Sequence, residues 1–157
     1  MYMHVDINGA YAAFECAMDP KLAKKPLIIA SNNDSSVIAM NKLAKSVGIK
    51  RGTPIFKCRD LIQQHQIEVR SSNFTLYEDY SNRFHETLES FAPQSSRYSI
   101  DENFMLLKNM NKIIDYEDFL KSINEDFDQI VKIKHVTDKE LSFLEKNNDV
   151  DIDRFKK

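Results

Sequence analysis

Three carboxylates stand at the edges of apolar segments in this chain. Asp6 lies in His4-Val5-Asp6-Ile7, and Asp101 and Glu102 follow Tyr98-Ser99-Ile100 nearly a hundred residues later. A carboxylate beside an apolar segment loses part of its hydration. This desolvation cost is not offset unless a cation pairs with the carboxylate. Carboxylate oxygens suit Mg²⁺, and two such ions about 3.5–4 Å apart stabilise the attacking and leaving oxygens of a phosphoryl transfer. The pattern favours a two-metal site, with solvated acidic turns as the alternative.

The elements predicted around these carboxylates place them at strand ends. Met3 to Ile7 is predicted as a buried strand, followed by a helix that begins after Asn8 as its cap. Arg97 to Ile100 and Phe104 to Leu107 are predicted as two strands joined through Asp101-Glu102. The acidic pair then falls at a turn, in a hairpin that lies beside the first strand.

The remaining pattern is that of an α+β fold. The clearest helix runs from Leu76 to Phe91, where apolar residues recur at spacings of three and four: Leu76, Tyr80, Phe84, Leu88 and Phe91. Further strands are predicted at Leu27 to Ala30, at Val37 to Ala39 and around Val69, and further helices at Asn41 to Val47, Ile55 to Gln64 and Tyr116 to Val131. From Lys132 to Lys157 the chain is highly charged, and we expect a poorly ordered or weakly helical tail.

Charge is distributed unevenly along the 157 residues, a length close to that of a single domain. The chain has 22 Lys and Arg against 24 Asp and Glu, which argues against strong overall attraction to nucleic acid. Between Lys21 and Arg59, however, nine basic residues face one acidic residue, Asp34. This stretch is either a solvated basic face or a contact surface for phosphates.

Cysteine usage and hydropathy predict a cytoplasmic protein. Cys16 and Cys58 lie far apart and match no metal or redox spacing, so we interpret them as free thiols in a reducing compartment. The N-terminus lacks a secretory pattern, and no stretch approaches the roughly 20 apolar residues that span a membrane. The four histidines show no ligand spacing, and we assign them no chemistry.

Six segments in order carry a resemblance to a known family. They are Val5 to Asn8, the pair Tyr11 and Glu15, Pro26 to Asp34, Gly48 to Lys57, Ser71 to Phe74, and Tyr98 to Glu102. Together they resemble the N-terminal third of the Y-family translesion DNA polymerases, and within that family the UmuC type, the catalytic subunit of bacterial polymerase V. The resemblance implies a palm of residues 1–10 and 75–131 with an inserted fingers subdomain of residues 11–74, followed by the charged tail 132–157. We expect the thumb and little finger to be absent.

The resemblance also implies roles for individual residues. Asp6, Asp101 and Glu102 would hold two Mg²⁺ ions, for which Mn²⁺ can substitute, together with the backbone carbonyl of Ile7. Tyr11 matches the steric gate that excludes a 2′-hydroxyl, although an aromatic on a helix is also common in a core. Two basic residues would contact the nucleotide triphosphate, with solvated lysines as the alternative: Lys42 and Lys45.

The chain also departs from the family pattern. Gly9 and Ala10 replace larger residues before the gate, Leu43 stands at a common Glu position, and Leu106 lies where an Asp is usual. A Gly-Ile-Gly-like strand and the basic helix after it are not found in the sequence.

The resemblance predicts a truncated UmuC-like DNA-directed DNA polymerase of DNA repair and the SOS response. We expect weak or no synthesis by the chain alone, weak binding of primer-template DNA and deoxynucleoside triphosphates, and a UmuD-like subunit as candidate partner. An unpaired sheet edge also predicts self-association. The alternatives are a non-catalytic protein that binds DNA or polymerase partners, and a functionless remnant.

Overall fold

Strand and helix bounds follow the sequence pattern closely in the computed structural model, which describes residues 2–92, 94–106 and the backbone of residues 131–136. The fold is α+β, as predicted. In chain order the elements are β1 (Tyr2–Ile7), α1 (Ala10–Met18), β2 (Leu27–Ala30), β3 (Val37–Met40), α2 (Lys42–Ser46), α3 (Arg59–His65), β4 (Glu68–Ser71), α4 (Phe74–Phe91), β5 (Ser95–Arg97), β6 (Glu102–Leu106) and β7 (Val131–Val136), with short 3₁₀ helices at Pro20–Lys24 and Ile55–Cys58.

The chain divides into two compact units. The first consists of the residues up to Asn8 together with those from Asp79 onward, and the second of Gly9–Glu78. The palm of residues 1–10 and 75–131 and the fingers of residues 11–74 stay predictions.

A four-stranded sheet in the order β5-β6-β1-β7 forms the first unit, and each neighbouring pair is antiparallel. In β1, Met3, Val5 and Ile7 are buried whereas His4 and Asp6 are partly exposed, which is the alternation expected of a strand with one core-facing side. The predicted hairpin beside the first strand is confirmed. Its bounds differ, because β5 ends at Arg97 and Glu102 already belongs to β6, so only Asp101 of the acidic pair lies in the turn.

Strand β7 begins where the sequence predicted the end of a helix and the start of the charged tail. It pairs with β1 so that Lys132 lies opposite Asp6 and Lys134 opposite His4. The first residues of the predicted tail therefore form a strand. The remainder of the tail, and the predicted helix before its last residue, lie outside the described residues.

The second unit contains a three-stranded sheet in the order β3-β2-β4, with β4 parallel to β2. Asn41 fastens α2 to this sheet, since its Oδ1 accepts from the Ala44 N–H at 2.9 Å and from the Leu27 N–H at 3.1 Å. Its Nδ2 donates to the Lys25 carbonyl at 2.8 Å. The cap thus fixes the start of α2, and with it the positions of Lys42 and Lys45.

Helix α1 begins one residue later than predicted. Its N-cap is Gly9 rather than Asn8, and Gly9 has φ of +61° and no side-chain cap bond. A Cβ at this position would lie 2.7 Å from the Met40 carbonyl oxygen, closer than carbon and oxygen can approach without movement. Glycine is required here both by the positive φ and by the proximity of β3.

Helix α4 has a more polar buried face than the apolar pattern predicts. Phe84 and Leu88 of the predicted stripe are buried, but Leu76, Tyr80 and Phe91 are only partly so. The other residues of the buried face are Tyr77, Ser81 and His85. Neither α4 nor any other helix in the described part of the chain is long and apolar enough to cross a membrane.

We predict that Gly9→Ala lowers the free energy of unfolding by about 2 kcal/mol or more, since the left-handed conformation costs about 1–2 kcal/mol and the Met40 carbonyl must also move. Gly48→Ala is the matched control, because Gly48 also has a positive φ but a Cβ there meets nothing within 4 Å. Chemical denaturation of both variants measures the difference. Equal losses would show that the Met40 contact contributes nothing.

Candidate active site

The predicted acidic residues meet at one end of the two central strands of the first unit. Asp6 lies directly opposite Glu102 in the register of β1 and β6. The Ile7 N–H donates to the Asp101 carbonyl oxygen at 3.0 Å, which holds the turn against the end of β1. Residues far apart in sequence are therefore neighbours, as the sequence pattern requires of a shared site.

The acidic residues have the chemistry of a cation site but are not gathered around one point. Cβ atoms of directly opposite residues lie about 4.5–5.5 Å apart, and like charges there are destabilising, so a bound cation would relieve the Asp6 and Glu102 pair. Within the described residues, no three His, Cys, Asp or Glu side chains are arranged to hold a metal ion. Carboxylate oxygens are ligands that Mg²⁺ prefers, and the strand register places Asp6 next to Glu102. To bind one ion, their side chains must turn toward a common point.

Lys132 extends this row to a third strand. Reading across β6, β1 and β7, the register partners are Glu102, Asp6 and Lys132. Lys132 is not among the residues predicted for the site, because the charge content of its segment predicts a poorly ordered tail. The signal was the alternation Val131, Lys132, Ile133, Lys134, which has the period of a strand.

His4 and Ser99 contact the acidic side chains directly. The His4 Nε2 lies 3.2 Å from Glu102 Oε1. The Ser99 hydroxyl lies 2.8 Å from Asp101 Oδ1 and 3.1 Å from Glu102 Oε2. His4, for which the sequence predicted no chemistry, lies two positions before Asp6 on the same face of β1 and contacts a predicted metal ligand.

Buried polar residues of α4 hold the backbone of the acidic turn from the other side. Ser81 donates from its hydroxyl to the Ile100 carbonyl oxygen, and the Arg97 Nη2 donates to Ser81 Oγ at 3.0 Å. His85 Nε2 donates to the Ser99 carbonyl oxygen at 3.0 Å, since a carbonyl can only accept. The two carbonyls that precede Asp101 are thus both fixed by one helix.

Asn103 and burial set the protonation state of His85. Asn103 Nδ2 donates to His85 Nδ1 at 2.8 Å, which matches the tautomer with its proton on Nε2. Burial lowers the pKa of His85 from 6.5 to about 4, against the opposing effect of the bond to Ser99. The ring is consequently neutral at pH 7. It links Asn103 of β6 to the Ser99 carbonyl of the turn through one hydrogen bond at each ring nitrogen.

Tyr11, the predicted steric gate, lies in an aromatic cluster of the second unit. Its ring stacks on Tyr77 with centroids 4.6 Å apart and planes 13° apart, and Phe74 meets both rings edge-on. Tyr77 donates from its hydroxyl to Glu15 Oε1 at 3.0 Å. Burial raises the pKa of Tyr77, so this hydroxyl remains a donor. The half-buried Tyr11 ring is therefore held in place by the rings of Tyr77 and Phe74.

Lys42 and Lys45 are exposed on α2, three residues apart, so one side of this short helix carries both charges. They belong with Tyr11 to the second unit, whereas Asp6, Ile7, Asp101 and Glu102 belong to the first.

The fold is that of the palm region of Y-family DNA polymerases. The chain matches the crystal structure of DinB from Sulfolobus solfataricus with a TM-score of 0.72 and 24% identity, covering 87% of this chain and 42% of that one. The chain belongs to the impB/mucB/samB family, which matches residues 5–136.

Two relatives show how much of a family member the chain represents. Protein MucB of Escherichia coli is 40% identical over 126 residues, which are 80% of this chain and 30% of MucB. Protein UmuC of Salmonella typhimurium is 37% identical over 137 residues, which are 87% of this chain and 32% of UmuC. The chain thus spans about a third of the length of these relatives.

We predict that His85 makes the fold acid-sensitive. Its pKa is lower in the folded chain, so the unfolded chain binds the extra proton first, and stability is lost as the pH falls from about 6.5 to about 4. The loss attributable to His85 is about 3 kcal/mol. Urea unfolding at stepwise pH should show a steeper loss of stability over this range in the parent chain than in His85→Gln. His65→Gln, at an exposed position, should keep the slope, and parallel curves for parent and His85→Gln would contradict the prediction.

We further predict that Tyr77→Phe lowers the free energy of unfolding by about 1 kcal/mol, because it removes the hydrogen bond to Glu15 while keeping the ring stack. Tyr98→Phe is the control, since that side chain is 42% exposed. If Tyr77→Phe costs about 1 kcal/mol in the parent chain and nothing in a Glu15→Ala background, the loss is assigned to the Glu15 contact. An equal loss in both backgrounds would assign it elsewhere.

Proposed function

We propose that this chain carries the nucleotidyl-transfer centre of a UmuC-like translesion DNA polymerase that acts in DNA repair and SOS damage tolerance. One observation carries the proposal: Asp6 and Glu102 are register partners on adjacent central strands, with the Asp101 carbonyl bonded to Ile7. Membership of the impB/mucB/samB family supports it. The proposal extends to one chain a function that in relatives belongs to a protein about three times as long.

In this proposal, Asp6, Asp101, Glu102 and the Ile7 carbonyl hold two Mg²⁺ ions, and Mn²⁺ substitutes for them. The ions supply charge stabilisation to the attacking and leaving oxygens. The protein contributes position: the α4 contacts to the Ser99 and Ile100 carbonyls keep the backbone of Asp101 in place before any ion arrives. Geometry fixed in advance is the main protein contribution to phosphoryl transfer.

The second unit receives the nucleotide in the same proposal. Tyr11 excludes a 2′-hydroxyl, and a ring backed by Tyr77 and Phe74 resists displacement better than an isolated one. Lys42 and Lys45 contact the triphosphate of a deoxynucleotide. Their exposure and spacing on α2 leave both ammonium groups accessible to a ligand of high negative charge.

Charge supports a nucleic-acid partner for the second unit. Gly9–Glu78 contains ten Lys and Arg against six Asp and Glu, whereas the rest of the chain is acidic. Few phosphate contacts give low affinity, and added salt lowers that affinity further, so we propose weak binding of primer-template DNA that needs low ionic strength. A UmuD-like subunit, self-association through a sheet edge and a cytoplasmic location complete the proposal.

Primer extension by the 157-residue chain tests this function. At low salt with Mg²⁺ or Mn²⁺, we expect template-directed addition of deoxynucleotides, and a loss of at least about a hundredfold in Asp101→Asn, because a metal ligand supplies several kcal/mol to the transition state. Asp79→Asn is the matched control, since Asp79 is an exposed residue in a surface ion pair with Arg83.

Each result decides between the proposed functions. Extension lost in Asp101→Asn but kept in Asp79→Asn supports the catalytic centre. No extension by a chain shown to be folded contradicts it and favours a binding role or a remnant. Extension that persists in Asp101→Asn points to a contaminating polymerase.

A further inference from the structure

Glu102 differs from an ordinary surface carboxylate because each of its oxygens already contacts a polar neighbour. His4 Nε2 lies 3.2 Å from Oε1, and the Ser99 hydroxyl lies 3.1 Å from Oε2. A carboxylate can only accept, so His4 is the donor to Oε1. Each carboxylate oxygen has two lone pairs, which leaves room on Oε1 for a cation beside the histidine.

The His4 ring is itself held in place by aromatic neighbours. It stacks on Phe104, with centroids 4.7 Å apart and planes 29° apart, and Tyr98 meets Phe104 edge-on at 5.6 Å. His4 and Phe104 are register partners, just as Asp6 and Glu102 are. The donor nitrogen is therefore fixed by the same strand pairing that sets the two carboxylates opposite each other.

We infer that His4 is a positioning residue that fixes the Glu102 carboxylate for a divalent cation. The inference rests on the proposed function and names a residue to which the family resemblance gave no role. A free glutamate must give up the rotamer freedom of three side-chain bonds when it binds an ion. His4 imposes most of that order in advance, as hydrogen-bonding neighbours of metal ligands commonly do.

Two substitutions separate positioning from packing. His4→Phe keeps a ring able to stack on Phe104 and removes the donor to Glu102. His4→Gln keeps an N–H donor and removes the aromatic ring. If His4 acts through its hydrogen bond, His4→Phe loses more divalent-cation affinity than His4→Gln. If His4 acts only through packing, His4→Gln loses more.

Mn²⁺ affinity of the full chain, measured by electron paramagnetic resonance of the free ion, is the readout, since it does not depend on DNA or on turnover. We expect His4→Phe to weaken Mn²⁺ binding about tenfold and His4→Gln to lose about threefold or less by partial rescue. His65→Gln, which removes an exposed histidine of the second unit, should bind as the parent does. Thermal unfolding checks each variant, and His4→Leu replaces His4→Phe if the latter does not fold.

Unchanged or tighter Mn²⁺ binding by His4→Phe overturns the inference and leaves the proposed function standing. A larger loss of Mn²⁺ affinity in His4→Gln than in His4→Phe overturns the inference and shows that His4 acts through packing. Absence of Mn²⁺ binding by the parent chain overturns the metal centre of the proposed function and this inference together, so the two failures are distinguishable.

Discussion

The register of β1 is the constraint on which the site depends. This strand lies between β6 and β7, and its alternation sends Met3, Val5 and Ile7 into the core while His4 and Asp6 take the opposite face. Because side chains alternate with period two, a slip of one residue would bury Asp6 and expose the core residues. Core packing thus specifies the register, and the register in turn sets Asp6 opposite Glu102.

Helix α4 contributes a polar layer where a helix of this kind would ordinarily bury only apolar groups. Ser81 and His85 of α4 and Asn103 of β6 are almost fully buried, and each donates a hydrogen bond to a named partner. Such networks rigidify a structure when satisfied and are costly when broken. Within the described residues two buried side-chain oxygens have no partner, Ser95 Oγ and Asn103 Oδ1. Nearly complete pairing makes the acidic turn an extension of the core rather than a mobile loop.

Sequence reasoning predicted the elements whose apolar pattern is regular and missed residues that act through polar contacts. The bounds of β2 were predicted to the residue, and the hairpin beside β1 was correct. A pattern that counts apolar residues cannot find Ser81 or His85, because their burial is justified only by carbonyls distant in sequence. Charge content likewise hid β7, although its alternation has the period of a strand. The charged composition of this segment predicts a poorly ordered tail, but its backbone pairs with β1 and forms a strand.

The exceptions to ordinary protein architecture coincide in one place. Carboxylates face each other across adjacent strands at Asp6 and Glu102, and the buried polar side chains of the described chain include Ser81, His85 and Asn103 around the same turn. The core of the second unit, by contrast, is apolar, with Ile28, Val37 and Ile67 among its members. Proteins tolerate such local conflicts mainly where function requires them. These local conflicts are the physical support for the functional site that we propose at the acidic end of the four-stranded sheet.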